Sequence, residues 1–380
     1  MKKEVDVYKQ LQIHIENLPI NLPSSRSGVE IKILKHFFTP EEVKIALCLG
    51  ALPESINRIY RRVKKAGIQM EKEELEAKLD QMVKKGSILG GAILESNTPK
   101  KRYSNALLVI GMYEHQVNRI TEDFFQDMEN YLEEAFHKEL HNPKIPSQMR
   151  TIPVNESTQA EFNIGTYDDI KQIIKSTEGP FAIQNCICKQ GQDLLGKRCK
   201  TTDLRETCLT LGRAARHSVD LGLAKFITKD EALNLMASFQ QEGLILQPAN
   251  TQQPEFVCAC CGCCCQFLKG VNYFDKPAEV ITSNYYASVN SELCSGCREC
   301  EDFCQMGAIS FPDEIAQVNL DRCIGCGLCA SACQLSAIKL KKKAKETIPP
   351  KNRASLYQQI LINKKGYWGT FKTVGKMMLR

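Results

Sequence analysis

Nineteen cysteines stand in a chain of 380 residues; eighteen of them fall between Cys186 and Cys333, and Cys48 lies apart. In a reducing compartment so many thiols do not read as a disulfide framework, and metal binding is the chemistry they suit. The clearest spacing is Cys294-Ser-Gly-Cys297-Arg-Glu-Cys300-Glu-Asp-Phe-Cys304, which recurs as Cys323-Ile-Gly-Cys326-Gly-Leu-Cys329-Ala-Ser-Ala-Cys333, every cysteine displaced by the same offset. The flank repeats as well, Gly307-Ala308-Ile309 being answered by Ser336-Ala337-Ile338. A cube of four irons and four sulfides takes four thiolates at tetrahedrally disposed corners. A tight loop supplies three at this spacing and the fourth must come from elsewhere, so two such loops trade their fourth ligands.

On these motifs residues 291–340 resemble a bacterial two-cluster ferredoxin domain. The resemblance implies two 4Fe-4S clusters, one on Cys294, Cys297, Cys300 and Cys333 and the other on Cys323, Cys326, Cys329 and Cys304. Paired C-x2-C units also bind zinc, but a zinc site has no use for four cysteines per loop with a cross-over partner. One departure stands out: the family usually has proline after the fourth cysteine, and here Gln305 and Gln334 occupy those positions. Glutamine keeps its amide hydrogen and adds a side-chain donor, which changes the hydrogen bonding available to a cluster.

Ten further cysteines form a second field. Cys186, Cys188, Cys199 and Cys208 make a spaced group that is the simplest candidate for a complete site, and Cys258, Cys260, Cys261, Cys263, Cys264 and Cys265 crowd into eight residues. So many thiolates side by side need metal to neutralise them. Neighbouring cysteines point in different directions, so Cys260 and Cys261, or Cys263 to Cys265, are not expected to face one cube. At least one further iron–sulfur cluster is the expectation, with redox-active thiols or an open coordination site as alternatives. The run from Phe181 to Leu268 resembles a cysteine-rich region that accompanies ferredoxin repeats and an N-terminal winged-helix module in iron–sulfur proteins of anaerobes. That resemblance implies cluster binding and no particular reaction.

The elements that position these residues are legible in part. Residues 1–27 end in a Pro/Ser-rich stretch and read as an arm. Thr39-Pro40-Glu41-Glu42 starts a helix that stops near Gly50; Pro53 to Ala66 and Met70 to Lys85 form two more, each closed by glycine. Two β-like runs follow, Ser87 to Leu94 and Arg102 to Ile110. Three helices and a hairpin over residues 28–111 resemble a winged helix-turn-helix module. In that family the third helix enters the DNA major groove, but its first turns here carry Glu71, Glu73, Glu74 and Glu76, which phosphate repels. A protein-docking or structural role is expected instead. Residues 112–163 read as a helical connector whose stripe of Phe124, Phe125, Met128, Tyr131, Leu132, Phe136 and Leu140 is core, with His115, His137 and His141 as packing residues. The cysteine-rich domain then occupies 164–290, with a capped helix starting at Thr228 and Arg213, Arg216 and His217 on a basic helix face.

Residues 341–380 form a basic amphipathic tail. It holds eleven Lys or Arg against Glu346 alone, more than the whole-chain net charge of +6, so the body is net acidic and the pI speaks only for the tail. The tail suits an anionic membrane surface, or the acidic ferredoxin residues Glu292, Glu299, Glu301 and Asp302. No run long enough to span a bilayer, no secretory leader, no phosphate loop and no dinucleotide fingerprint are present. The expectation is an α+β multidomain protein, cytoplasmic or peripheral to the inner membrane face, relaying electrons to redox partner proteins as a carrier or reductase subunit. An oxidoreductase centred on residues 258–265 and a redox-sensing regulator are the alternatives.

Overall fold

The computed structural model describes residues 6–95, 98–154 and 167–379, and it divides into two compact units, residues 1–139 with 360–380 and residues 140–359. In the first unit Asp6 caps a helix over Val7–Ile15, its carboxylate accepting from the Tyr8 amide at 3.0 Å. Tyr8, Leu11 and Ile15 recur at three- and four-residue steps and are buried, followed by Leu18, Ile20 and Leu22. Residues 1–27 are therefore not merely an arm. The apolar spacing ahead of the prolines builds a packed helix, which the Pro/Ser-rich end of the segment obscures.

Helices Val29–Phe37, Pro40–Ala46, Ile56–Lys65 and Lys72–Lys85 follow. Thr39 closes a full capping box with Glu42, satisfying two of the amides a helix start leaves free. Strand β1 (Glu54–Ser55) joins β2 (Ile88–Glu95) and β3 (Thr98–Asn105) in an antiparallel sheet of order β1-β3-β2. The second hairpin strand thus begins earlier than Arg102 and ends before Ile110, because the turn-rich sequence pairs right up to a short connection. The connector helix begins at Glu122, where Thr121 caps it, rather than at residue 112. Phe124 packs edge-on to Phe37 at 5.3 Å, and Phe125, Met128, Tyr131 and Phe136 are buried, so the aromatic stripe is core. The end of that connector, at residue 163, lies outside the described residues.

The second unit is built on a five-stranded antiparallel sheet of order β6-β4-β5-β8-β7, formed by β4 (Phe181–Gln184), β5 (Cys208–Leu211), β6 (Lys225–Ile227), β7 (Ile245–Pro248) and β8 (Phe256–Cys260). Helix Lys229–Gln241 carries the Thr228–Glu231 capping box read from sequence. Its Met236 and Phe239, with Ile173 and Ile174 of helix Ile170–Ser176, form one core with Phe181, Ile183, Leu209, Leu211, Leu246, Val257 and Ala259. These are alternate positions along their strands, as period-two geometry requires of one sheet face. His141 packs edge-on to Phe267 at 4.6 Å within this unit.

Two further strand pairs frame the C-terminal repeat: β9 (Tyr285–Val289) with β12 (Ile338–Lys342), and β10 (Ile309–Ser310) with β11 (Gln317–Val318). The repeat offset maps Ile309, which opens β10, onto Ile338, which opens β12, so the duplication holds in the fold. It holds in the backbone too, since Gly296 and Gly325, Arg298 and Gly327, and Gly307 and Ser336 all have positive φ. A Cβ at Gly296 would stand 2.5 Å from the Glu314 carbonyl and one at Gly325 2.2 Å from that of Tyr285, so only glycine fits either place. The chain ends in helix Arg353–Leu379, interrupted at Gly366. Among the described residues, the ion pairs of this segment go to Glu255 (Arg353, 3.4 Å) and Glu139 (Lys364), not to the acidic ferredoxin residues proposed from charge alone. No helix among the described residues is long and apolar enough to cross a membrane.

Candidate metal centres

The eight cysteines of the repeat line two cavities in crossed sets. One cavity, of about 230 Å³, is bordered by Cys294, Cys297, Cys300 and Cys333; a tighter one, of about 20 Å³, is bordered by Cys304, Cys323, Cys326 and Cys329. Backbone amides point at the sulfurs: Ala316 N–H donates to Cys294 Sγ at 3.4 Å, Ala287 N–H to Cys323 Sγ at 3.4 Å and Ala308 N–H to Cys304 Sγ at 3.2 Å. Ala287 and Ala316 are themselves separated by the repeat offset, so each copy donates to the ligand loop of one site. Burial pushes the Cys300 thiol up to about 11 and the Cys326 thiol up to about 12. Thiolates are disfavoured there unless a cation replaces the lost hydration. Four thiols around a space, with amides aimed at them, is the donor set a cube requires. The two sites differ in exposure, Cys297 being open to solvent and Cys323 and Cys329 buried.

The second field is partitioned against its order in the chain. Cys199 leaves the group of Cys186, Cys188 and Cys208 and joins Cys261, Cys263 and Cys264, all four sulfurs lying within 4.8 Å of one another. Cys199 Sγ is 3.6 Å from Cys261 Sγ and 3.7 Å from Cys263 Sγ, and Cys263 Sγ is 3.7 Å from Cys264 Sγ. The four-cysteine site first read as Cys186, Cys188, Cys199 and Cys208 is therefore not assembled. The reason is strand alternation: Val257, Ala259 and Cys261 follow one face of β8 into the apolar core, while Cys258 and Cys260 follow the other. Thr201 Oγ1 lies 3.6 Å from Cys263 Sγ, and the Lys200 amide donates to the same sulfur. Hydrogen bonds from Cys261 and Cys264 lower the Cys263 thiol, while Cys261 is pushed up to about 12 by its bond to Cys263.

The other six thiols form a continuous row in which Cys186 meets Cys188, Cys188 meets Cys265, Cys265 meets Cys260, Cys260 meets Cys258 and Cys258 meets Cys208. Cys186 and Cys265 are the N-caps of helices Ile187–Leu194 and Gln266–Asn272, so each stands at a positive helix end, the bond to Cys188 nevertheless pushing the Cys186 thiol up. Hydrogen bonds from Cys188 and Cys260 bring Cys265 down to about 6. Lys189 is 1% exposed, its Nζ 3.0 Å from Thr207 Oγ1; its nearness adds to the lowering of Cys258 that the Cys208 hydrogen bond causes, and only partly offsets the rise of Cys186 and Cys261 caused by their bonds to Cys188 and Cys263.

Three residues of this site escaped the sequence reading. Across the sheet, Gln184 pairs with Cys208, Cys208 with Cys258 and Cys258 with Gln247, so two amides flank two thiols in one cross-strand row. Gln184 Oε1 and both polar atoms of Gln247 are buried without a hydrogen-bond partner among the described residues. Orphaned buried amides carry a penalty of about 1–3 kcal/mol, which a bound group with donors or acceptors removes. A lone glutamine in each apolar strand was the available signal. Lys189, third after Cys186, gave none.

Gln305, the residue in place of proline, joins the two cysteine regions. Its Oε1 accepts from the Gly262 amide and its Nε2 donates to the Gly243 carbonyl. A Cβ at Gly262 would lie 2.8 Å from the Gln305 carbonyl, so the contact depends on glycine between Cys261 and Cys263.

Residues 293–337 match the family described as a 4Fe-4S dicluster domain. The segment is thus of ferredoxin type, with an iron–sulfur electron-transfer role. Among curated proteins and solved structures nothing matches.

Proposed function

We propose that this chain is a multi-cluster relay that passes single electrons between redox partner proteins, as a carrier or as a reductase subunit of an anaerobic cell. The observation that supports it most is the crossed partition of eight cysteines between two cavities, which matches the ligand exchange of a two-cluster ferredoxin. When bound, each cluster supplies a one-electron couple. The chain holds the thiolates, directs amides at them and excludes water from the Cys323 side. Leu293 and Leu335, 48% and 55% exposed, border the more open site and offer a small apolar rim for a partner. The six-thiol row is assigned a further iron–sulfur cluster. Lys189 lies beside it, Gln247 Nε2 can donate to sulfide, and Gln184 Oε1 can accept from a bound ligand that has a donor. Anaerobically purified protein should contain more than about eight irons with matching acid-labile sulfide, and two reduced-state ferredoxin signals by electron paramagnetic resonance. Iron near zero would end this reading.

A second reading makes the six-thiol row a reducing centre for a small substrate. It is favoured by Lys189 and Gln247, buried polar groups of the kind that orient a ligand. Gln247→Leu would then abolish turnover in a reductase assay while leaving both ferredoxin signals in place. We read residues 28–111 as a winged-helix-like module used for protein docking. Lys78, on the acidic third helix, is paired with Glu41 at 2.7 Å, and Lys64, on the helix before it, with Glu71 at 3.5 Å, so part of the positive charge beside the four glutamates is already neutralised.

A further inference from the structure

Sulfur spacing separates two kinds of metal site. Four thiolates at about 2.3 Å from one tetrahedral ion stand ~3.8 Å apart, the edge of the tetrahedron they define. A cube interposes four irons and four sulfides and must hold its thiolates farther apart. Cys199, Cys261, Cys263 and Cys264 show separations of 3.6 and 3.7 Å and lie together within 4.8 Å, the one such group among the described residues. Three of them are buried and Cys263 is half-buried, walled by Phe239, Met236 and Leu204. Thr201 Oγ1 and the Lys200 amide stand beside Cys263, in the place of the outer hydrogen bonds that hold metal-bound thiolates. The eight ferredoxin sulfurs form no group of this compactness, although they lie closer together along the chain.

From this geometry we infer that Cys199, Cys261, Cys263 and Cys264 bind one tetrahedral thiophilic ion, zinc or iron, in a mononuclear tetrathiolate centre free of inorganic sulfide. The centre is separate from the ferredoxin clusters and from the six-thiol row, and the inference stands whether or not the relay reading holds. Cys261 and Cys264 supply a C-x2-C pair, Cys263 closes the third corner from between them, and Cys199 arrives from the loop after helix Ile187–Leu194. The ion pins that loop to the end of β8. Through Gly262 and Gln305 the same segment is hydrogen-bonded to the residue that follows Cys304.

The test is metal and acid-labile sulfide analysis of the full chain, purified without oxygen, for the unaltered protein and for Cys199→Ser with Cys261→Ser. The expected result is the loss of one zinc, or of one iron, per chain with no change in sulfide. If it is zinc, X-ray absorption at the zinc edge of the unaltered protein shows sulfur neighbours alone near about 2.3 Å; if it is iron, Mössbauer spectra of the same sample contain a separate high-spin tetrathiolate component. These two spectra need no variant, so a poorly folding substitution does not blunt the test. Loss of about four irons together with four sulfides would overturn the inference in favour of a cube. So would an unaltered protein that holds no metal beyond what its sulfide accounts for.

Discussion

The ferredoxin repeat and the 186–265 field are both rich in cysteine but arrange it differently. In the repeat, each cavity is lined by three cysteines from one short loop and one from its copy. In the field, ligands that touch come from positions far apart in the chain, such as Cys199 and Cys261, and neighbours such as Cys260 and Cys261 part company. Local loops write their ligand set into sequence spacing. A sheet writes it into side-chain alternation and register, which only the fold makes visible. Thiol separation then distinguishes the chemistry: compact contact suits one ion, whereas a lined cavity suits a cube.

This contrast can be broken by substitution, beginning with the largest effect. Cys300→Ala should remove one ferredoxin cluster, about four irons and four sulfides, read by metal analysis and by loss of one of two reduced-state resonance signals. If both signals survive at full spin, the crossed assignment is wrong. Cys260→Ala in the six-thiol row should remove the further cluster while both ferredoxin signals persist; retention of all iron would show that Cys260 is not a ligand. Gly325→Ala is expected to weaken the Cys323 loop more than the Cys294 loop, because the added methyl meets the Tyr285 carbonyl and the residue has positive φ. A destabilisation of about 2 kcal/mol or more, with preferential bleaching of one cluster, would be seen in anaerobic denaturant titration.

Gln305→Ala sharpens the comparison by separating the regions. It deletes the hydrogen bonds to Gly262 and Gly243, which should lower stability by about 1–3 kcal/mol and displace the potential of the Cys304 cluster alone, read by voltammetry. Equal displacement of both clusters would show that the contact does not act locally. The smallest change is expected for Thr228→Ala, which loses a helix cap. Stability should fall by about 1 kcal/mol with full metal content, since the helix bearing Met236 and Phe239 is held mainly by its packing.

Much of the fold could be read ahead of the structure where local signals are strong. Both capping boxes, the helices ending at Gly67 and Gly86, the hairpin and the constant offset of the cysteine repeat are examples. The Pro/Ser-rich stretch that follows it hides the helix over Val7–Ile15, and apolar spacing that continues through the irregular turns before Thr121 makes the connector helix look longer than it is. At the candidate sites the ferredoxin ligands were legible because their spacing is local. Cys199 could not be assigned without knowing which loop returns to β8. The charge of the tail is legible in sequence, but the partners of its helix are decided by which acids the fold brings near: Glu255 and Glu139.

The twin cavities of the repeat are alike in sequence and unlike in shelter. Dioxygen reaches the site beside Cys297 without crossing the protein, whereas the site of Cys323 and Cys329 is walled in. Exposure to air should therefore fade the brown colour in two stages, the outer cofactor decaying first and acting as a sacrificial guard for the inner one.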